Sequence, residues 1–470
     1  ALLILIAGCQ NIPDEGPSLD RVQEPPAPPT QPAPSPTALP EEPLPPTDEP
    51  ATSDPTAEAP PTISAENPAV SLPSPTLFDG SWDDRTIYHS GLIAEEAGIL
   101  QALPGASVYH VILDISDPNL AIGEMEARYI NQEDEPLNEL FLHMFPANLG
   151  GEMQVSDIHL NGEPAQFESL DGMLRVDLGE PLDPGQGVVL SLAFETMVPG
   201  AETTKYGVLA FKENILALAH FYPMFAAYDD QGWHTEPTAE HGDETFADMS
   251  FYMVQVSAPK DQVLVAAGVE IDREQNDGQQ QVTYAAGPAR DFYLVASDDF
   301  QVVQEQVGPV LLNSYAPSGL LDGAQLALDV TADSINSFSN RFGPYPYTEL
   351  DVVTTPTDAL GIEYPGIYAN ALRIYDLSGS SSGGVPNPVL IESVSAHETA
   401  HQWFYNLVGN DQLNEPWLDE ATTQYATWLY YIDRYGEQNA QGFYNSLEGR
   451  WQRTDFAEIP IGLPADAYTG

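Results

Sequence analysis

The strongest constraint on the fold is a pair of histidines and a pair of glutamates near the C-terminal end. Residues 397–401 read HETAH, and Glu420 follows 19 positions after His401 within the segment 417–420 (WLDE). On an α-helix, His397 and His401 lie about 40° apart in direction and about 6 Å apart along the axis, so both imidazoles can face one point. Glu398 points about 100° away from His397. The pattern predicts a helix with a polar pair on one face and a second helix, carrying Glu420, opposite it.

This arrangement suits a single zinc ion, because a catalytic zinc takes three protein ligands and one water. His397, His401 and Glu420 are the candidate ligands, and Glu398 can reach the water without binding the metal. We expect Gly409 and Asn410 to end the first helix and Pro416 to open the second. The alternative is a helix with two incidental histidines. Flanking apolar residues predict a buried helix, where unpaired polar groups are costly; they are Val389, Leu390, Ile391, Val394, Trp403, Phe404 and Leu407.

Three segments together resemble the core of the gluzincin metallopeptidases of the aminopeptidase N type, written HExxH-x18-E. They are 397–404 (HETAHQWF), 406–408 (NLV) and 417–420 (WLDE). The resemblance implies that His397, His401 and Glu420 bind zinc and that Glu398 is the general base. It covers roughly residues 85–470, and is strong from 342 to 435.

A fourth segment, 360–366 (LGIEYPG), lies where that family has its G-x-M-E-N strand. The resemblance implies that Glu363, with Gly361 beside it, binds the free amino group of a peptide substrate. Leu360 and Tyr364 depart from the family motif. The alternative is that Glu363 pairs with backbone or with Arg373 at a sheet edge.

The N-terminal residues 1–9 (ALLILIAGC) resemble the end of a secretory hydrophobic region joined to a bacterial lipobox. We expect Cys9 to be lipidated and the protein to be an exported, cell-surface or periplasmic lipoprotein held to the membrane by lipid alone. A buried strand that ends in the only cysteine is the alternative. The charged start of such a signal is missing, so we expect a fragment at this end. No later run approaches the eighteen or so apolar residues that a bilayer-spanning helix needs.

Charge and composition exclude several functions. Lysine and arginine number 14 against 71 acidic residues, a net charge of −57, so nucleic-acid binding is excluded. Two explanations of the acid excess stay open: solubility, or attraction of cationic substrates. A single cysteine excludes disulfides. Residues 10–80 hold 20 of the 43 prolines and are predicted to be a disordered linker.

The folded part is predicted to be multidomain. From Tyr109 apolar residues alternate, and strands recur without helices, which predicts an antiparallel β-sandwich or saddle over 81–312. Helical periodicity from Ala324 to Gly343, then a small sheet and the HETAH helix, indicates a thermolysin-like α+β catalytic domain over 313–470. The histidines of the β-domain lack ligand spacing and are interpreted as structural; they are residues 110, 143, 159, 220, 234 and 241.

The leading hypothesis is a zinc aminopeptidase that acts on peptide substrates. A zinc endopeptidase and a non-catalytic surface-anchored binding module are the alternatives. No G-x-S-x-G elbow supports a serine hydrolase. The resemblance also implies an oxyanion-binding tyrosine and a helical C-terminal domain, which we expect beyond residue 470, since Tyr468 has no supporting motif.

Overall fold

The structure is a computed structural model that describes residues 72–200, 205–238, 242–243, 245–453 and 462–467. All of them lie in one of the two compact units into which the chain divides. Cys9, the linker residues 10–71, His241 and Tyr468 lie outside the described residues. The predictions made for them stay predictions.

Eighteen strands precede residue 300 in the described ranges. They are β1 Val108–Asp117, β2 Leu120–Ile130, β3 Leu137–His143, β4 Glu152–Leu160, β5 Glu163–Pro164, β6 Gln166–Leu170, β7 Met173–Leu182, β8 Gly187–Met197, β9 Leu209–Lys212, β10 Ile215–Leu218, β11 Met224–Phe225, β12 Tyr228–Asp229, β13 Gly232–Trp233, β14 Ser250–Pro259, β15 Val263–Ala266, β16 Val269–Asn276, β17 Gln279–Ala289 and β18 Leu294–Ser297.

The largest sheet has eight strands in the order β16-β17-β14-β1-β2-β8-β4-β5. Alternate β1 residues, Tyr109, Val111, Leu113 and Ile115, are buried, as the period of two predicts. The β4–β5 hairpin turns at Asn161-Gly162, where both residues have positive φ (50° and 86°), a conformation that glycine and asparagine adopt at low cost.

One pair of strands departs from the predicted antiparallel arrangement. β1 and β14 are parallel, with Val108 opposite Phe251. The two strands lie far apart in the sequence. Alternation of apolar residues within each strand therefore carries no information on their relative direction.

The end of the predicted linker is in contact with the β-sheets, which corrects the prediction for residues 72–80. The backbone N–H groups of Thr76 and Leu77 each donate to the carboxylate of Glu126 at 2.9 Å. Trp82 Nε1 donates to the carbonyl of Pro73 at 2.8 Å. Proline-rich composition predicted disorder, but a buried carboxylate that needs donors holds this short segment in place.

A five-stranded sheet follows, in the order β19-β20-β21-β23-β22. The predicted domain boundary at 312/313 lies inside β20, so this sheet takes strands from both sides of it. β22 pairs antiparallel with β23 and forms one edge of the sheet. The strands are β19 Phe300–Val307, β20 Val310–Pro317, β21 Glu349–Thr355, β22 Gly361–Tyr364 and β23 Ile367–Ala371.

Four α-helices are described: α1 Leu321–Phe342, α2 Asn387–Ala400, α3 Pro416–Tyr435 and α4 Glu437–Arg453. None of the helices in the described ranges is long and apolar enough to cross a bilayer. α2 packs against α1, α3 and the edge strand β22. Val389, in its first turn, is 49% exposed, so the predicted burial of this helix holds from Ile391 onward.

The HETAH helix ends earlier than predicted. α2 stops at Ala400, with His401 as its C-cap, and the chain then runs through turns, not helix, to Gly409. Two buried side chains hold these turns. Trp403 Nε1 donates to the carbonyl of Gly343 at 3.0 Å, and Asn406 Nδ2 donates to the Tyr347 hydroxyl at 3.2 Å. The start of α3 at Pro416 agrees with the prediction.

Candidate metal centre

His397, His401 and Glu420 converge between α2 and α3. Nε2 of His401 lies 3.1 Å from Nε2 of His397, and that nitrogen lies 3.3 Å from Oε2 of Glu420. All three side chains are buried. Ligand bonds of about 2.0–2.1 Å in a tetrahedral shell separate ligand atoms by about 3.3 Å. The spacing of these three atoms therefore fits one tetrahedral metal ion.

Glu398 lies beside this cluster and not within it. Its carboxylate lies close to Glu363 and His401, and this group shares only His401 with the set formed by His397, His401 and Glu420. Oε2 of Glu398 is buried and has no hydrogen-bond partner among the described residues. A buried carboxylate oxygen that accepts no bond is costly unless a ligand, water or ion satisfies it.

Gly361 brings β22 against Glu398. A Cβ at position 361 would lie 2.6 Å from Cδ of Glu398 and 2.6 Å from Cγ1 of Val394. Real Cβ atoms do not approach this closely, so only glycine lets the strand pass here. The sequence predicted Gly361 as a substrate-binding residue; the structure places it against the candidate base.

Glu363 faces the metal cluster from the edge strand. Its Oε1 lies 3.6 Å from Nδ1 of His401, and its carboxylate groups with those of Asp243 and Asp419. Arg373, the alternative partner, instead donates to the carbonyls of Thr357, Asp358 and Ala359. The Glu363 carboxylate thus lies buried beside His401, and the guanidinium of Arg373 has other partners.

The ring nitrogen of His401 that points away from His397 has partners of its own. Its Nδ1 lies 2.8 Å from Oδ1 of Asp419 and 3.0 Å from the carbonyl of Phe404. Gln412 donates to the other oxygen of Asp419 and to Asp243. A backbone carbonyl or a carboxylate at the far ring nitrogen fixes the ring and its tautomer in metal-binding histidines, and here the carbonyl of Phe404 makes the hydrogen bond.

Burial and mutual repulsion raise the pKa values of three acid groups near the cluster, whereas the hydrogen bond to His397 holds the pKa of Glu420 below its ordinary value against the effect of burial. Burial raises the pKa of Glu398 to about 8 and that of Glu363 well above its ordinary value. Burial, together with the charges of Asp419 and Glu420, raises the pKa of Asp243 to about 7. Several carboxylates that resist ionisation together make a strong site for a cation.

Four residues of this site were not predicted from the sequence: Asp243, Gln412, Asp419 and Gln424. Asp419 and Gln424 had a usable signal, since they flank Glu420 on the same helix at one and four positions. Asp243 and Gln412 come from loops, where no periodicity indicates direction. Among the β-region histidines, the described ones belong to none of these clusters and contact other partners.

Comparison with known proteins agrees with this geometry. Residues 326–458 match the sequence model described as the Peptidase family M1 domain. The match includes all three candidate ligands, Glu398 and Glu363. It confirms the resemblance to the aminopeptidase N type; the lipoprotein assignment stays a prediction.

Curated relatives include aminopeptidases from plants, bacteria and mammals. Aminopeptidase M1 of Arabidopsis thaliana is 28% identical over 273 residues, which cover 56% of this chain and 29% of that protein. Aminopeptidase N of Acetobacter pasteurianus is 31% identical over 186 residues, 38% of this chain and 51% of that protein. Aminopeptidase N of Homo sapiens is 35% identical over 152 residues, which cover 30% of this chain and 15% of that protein. The chain therefore spans about half, or less, of the length of these relatives.

Solved structures share the fold. An M1 zinc metallopeptidase variant from Deinococcus radiodurans, bound to a Tyr-Ser-Ala substrate, aligns with a TM-score of 0.55 at 20% identity, covering 76% of this chain and 75% of that one. A two-domain M1 zinc metallopeptidase variant bound to L-tryptophan aligns with a TM-score of 0.54 at 20% identity, covering 74% and 75%. The predicted fold class, a β-rich N-terminal part followed by a thermolysin-like part, is confirmed.

Proposed function

We propose that this protein is a zinc-dependent aminopeptidase. The observation that carries the proposal is the convergence of His397, His401 and Glu420, with the Glu363 carboxylate next to His401. The names of the aminopeptidase relatives and of the M1 zinc metallopeptidases support it. When bound, one zinc ion would polarise the scissile carbonyl and acidify a water molecule.

Glu398 acts as the general base in this proposal. Its Oε2, buried and without a hydrogen-bond partner among the described residues, would accept a proton from the attacking water and return it to the leaving amine. A pKa raised to about 8 by burial makes the carboxylate a stronger base than an exposed glutamate. The positive charge of a bound zinc ion would lower that pKa and keep the base ionised at neutral pH.

Glu363 and Asp243 supply the preference for a free N-terminus. With Asp419 they form a group of three carboxylates next to the His397, His401 and Glu420 cluster. A protonated α-amino group offers one positive charge and three N–H donors, which suits such a cluster. Binding of the amino group to these carboxylates also positions the first peptide bond of the substrate next to the metal and Glu398.

The test compares free and N-acetylated peptides of the same sequence. We expect the wild type to cleave the free peptide, and Glu363→Gln to lower kcat/KM for it by about 10²-fold, because one side of a buried charge pair is lost. Zinc content should not change. Glu274→Gln, an exposed glutamate on β16, is the matched control and should behave as the wild type.

Two results would change the proposal. Equal cleavage of free and blocked peptides by the wild type would replace the aminopeptidase with an endopeptidase. Absence of zinc from the purified protein, after incubation with the metal, would leave the non-catalytic binding module. The expected stoichiometry is one zinc per chain, lost in His401→Ala.

We also propose that the protein is an exported lipoprotein anchored through Cys9. The apolar segment that ends in Ala-Gly-Cys supports this. Cys9→Ser, expressed with a complete signal sequence, should move the protein from the membrane fraction to the soluble fraction. Ser18→Ala, in the proline-rich segment, is the matched control. A Cys9→Ser protein that remains with the membrane would contradict the anchor.

A further inference from the structure

The outward ring nitrogen of His397 has a partner that the zinc proposal does not use. Nδ1 of His397 lies 3.0 Å from the side-chain amide of Gln424, whose nearer atom is assigned as the nitrogen Nε2. The other ring nitrogen, Nε2, faces His401 and Glu420. Gln424 lies on α3 four residues after Glu420, so one helical turn presents both a candidate ligand and the partner of a second ligand.

The protonation of His397 decides how this amide must be oriented. A neutral imidazole binds a metal ion through Nε2 only when that nitrogen has no proton, and Nδ1 then has the proton and needs an acceptor. The amide oxygen accepts, whereas the amide nitrogen does not. Since amide O and N are told apart mainly by their hydrogen bonds, the metal-binding tautomer selects Oε1 toward the ring.

We propose that Gln424 is a positioning residue that accepts the Nδ1–H of His397 through Oε1. The bond would fix both the orientation of the ring and its tautomer. Nε2 would then have no proton and would be directed at the point that it shares with the ligand atoms of His401 and Glu420. This inference rests on the proposed zinc site. It assigns to α3 a second task besides supplying Glu420.

The two histidines are then held by different chemistry. His401 Nδ1 hydrogen-bonds with the carbonyl of Phe404 and lies 2.8 Å from the charged Asp419 carboxylate, whereas His397 Nδ1 lies next to a neutral amide. The difference has an electrostatic reason. Glu363, Glu398, Asp419 and Glu420 already place four buried acid groups around the cluster, so a neutral acceptor satisfies His397 without a fifth.

Zinc affinity in the full chain measures this role directly. We would determine the zinc dissociation constant by chelator competition for the wild type, Gln424→Leu and Gln424→Glu. Loss of a side chain that orients a metal-binding histidine typically weakens metal affinity by about 10–100-fold, and we expect that for Gln424→Leu. Gln441→Leu, an exposed helical glutamine on α4, is the matched control and should keep the wild-type value.

Gln424→Glu separates the two orientations of the amide. A carboxylate can only accept, so it should keep the dissociation constant within about threefold of the wild type or tighten it if Oε1 faces the ring. Rescue by Glu and loss with Leu would also show that the effect is not a general loss of packing. The absorption spectrum of the Co²⁺-loaded protein should shift for Leu and not for Gln441→Leu.

Three results would overturn the inference. One is a Leu variant that binds zinc as tightly as the wild type, and another is a Glu variant as weak as Leu. The third is a wild type that binds no zinc, which would remove the proposed function as well. If Gln424→Leu does not fold, Gln424→Ser replaces it, because a hydroxyl there is too short to reach Nδ1 and the same 10–100-fold loss is expected.

Discussion

The β-sheet region and the helical region both bury histidines, but they use them differently. In the β-sheets, His143 is stacked on Phe145 at 4.7 Å, and its Nε2 hydrogen-bonds with the carbonyl of His234 at 3.0 Å. Between the helices, Nε2 atoms of His397 and His401 face each other at 3.1 Å. A hydrogen bond between these two nitrogens needs a proton on one of them, whereas a metal ion is bound by both as unprotonated acceptors. Convergence, not burial, distinguishes a ligand from a core histidine.

Buried glutamates show the same contrast. Burial alone would raise the pKa of Glu126, but hydrogen bonds from His110, Leu77 and Thr76 lower it below its ordinary value. Burial raises the pKa of Glu398 to about 8. The first carboxylate is stabilised as an anion by the fold, whereas the second is left as a base. A structural site and a reactive site therefore differ in how many donors surround the charge.

The largest expected effect is the loss of that base. Glu398→Gln should lower kcat by about 10²–10⁴-fold, because an amide cannot accept the proton of water. Zinc content should match that of the wild type, since Glu398 lies outside the ligand set. Peptide hydrolysis and metal analysis on the same preparation test both points. Retained activity would exclude Glu398 as the base, and Glu305→Gln on β19 is the control.

The next effect tests how closely the base is positioned. Gly361→Ala should push Glu398 and Val394 aside and lower kcat by about 10²-fold, the usual cost of displacing a reacting group by about 1 Å. Gly442→Ala, where an added Cβ meets nothing within 4 Å, is the control. Unchanged kcat in Gly361→Ala would show that Glu398 adjusts freely.

A feature of the fold or of the site could be predicted from the sequence when the residues that form it lie close together along the chain. The HETAH pattern and Glu420 predicted the ligand set because helical geometry is local, and His397 and His401 are four residues apart. The alternation in β1 was predicted for the same reason. The end of α2 at Ala400 was not, because Trp403 and Asn406 take partners from distant segments.

Other features had no local signal at all. Asp243 lies 120 residues before Glu363, yet their carboxylates group together. The parallel pairing of β1 with β14 likewise joins segments that are remote in sequence. Such contacts follow from global packing, which hydrophobic periodicity describes only for one element at a time.

A third prediction concerns His143 in the β-region. Burial lowers its pKa to about 4, against 6.5 when exposed, so its stabilising contribution is present above about pH 6.5 and lost as the pH falls toward 4. Between pH 7 and pH 5 we expect this residue to lower the free energy of unfolding by about 2 kcal/mol. His143→Gln, which keeps a donor for the His234 carbonyl, should remove that dependence. Urea unfolding at several pH values, in the presence of a chelator, tests this without zinc binding. A His143→Gln variant whose free energy of unfolding depends on pH as in the wild type would contradict it.

The smallest expected effect tests the satisfied carboxylate of the β-region. Glu126→Gln replaces one oxygen that now accepts from Thr76 and Leu77 and should cost about 1 kcal/mol, or about fivefold in the opening of residues 72–82. Hydrogen exchange of a peptide that covers these residues measures it, and Glu124→Gln, an exposed neighbour on β2, is the control. Peptidase activity should not change, because the affected segment is held by Glu126 and contributes no residue to the metal cluster. Unchanged exchange at Thr76 and Leu77 would mean that ring contacts of His110 with Phe78 and Trp82, not the carboxylate, hold the segment.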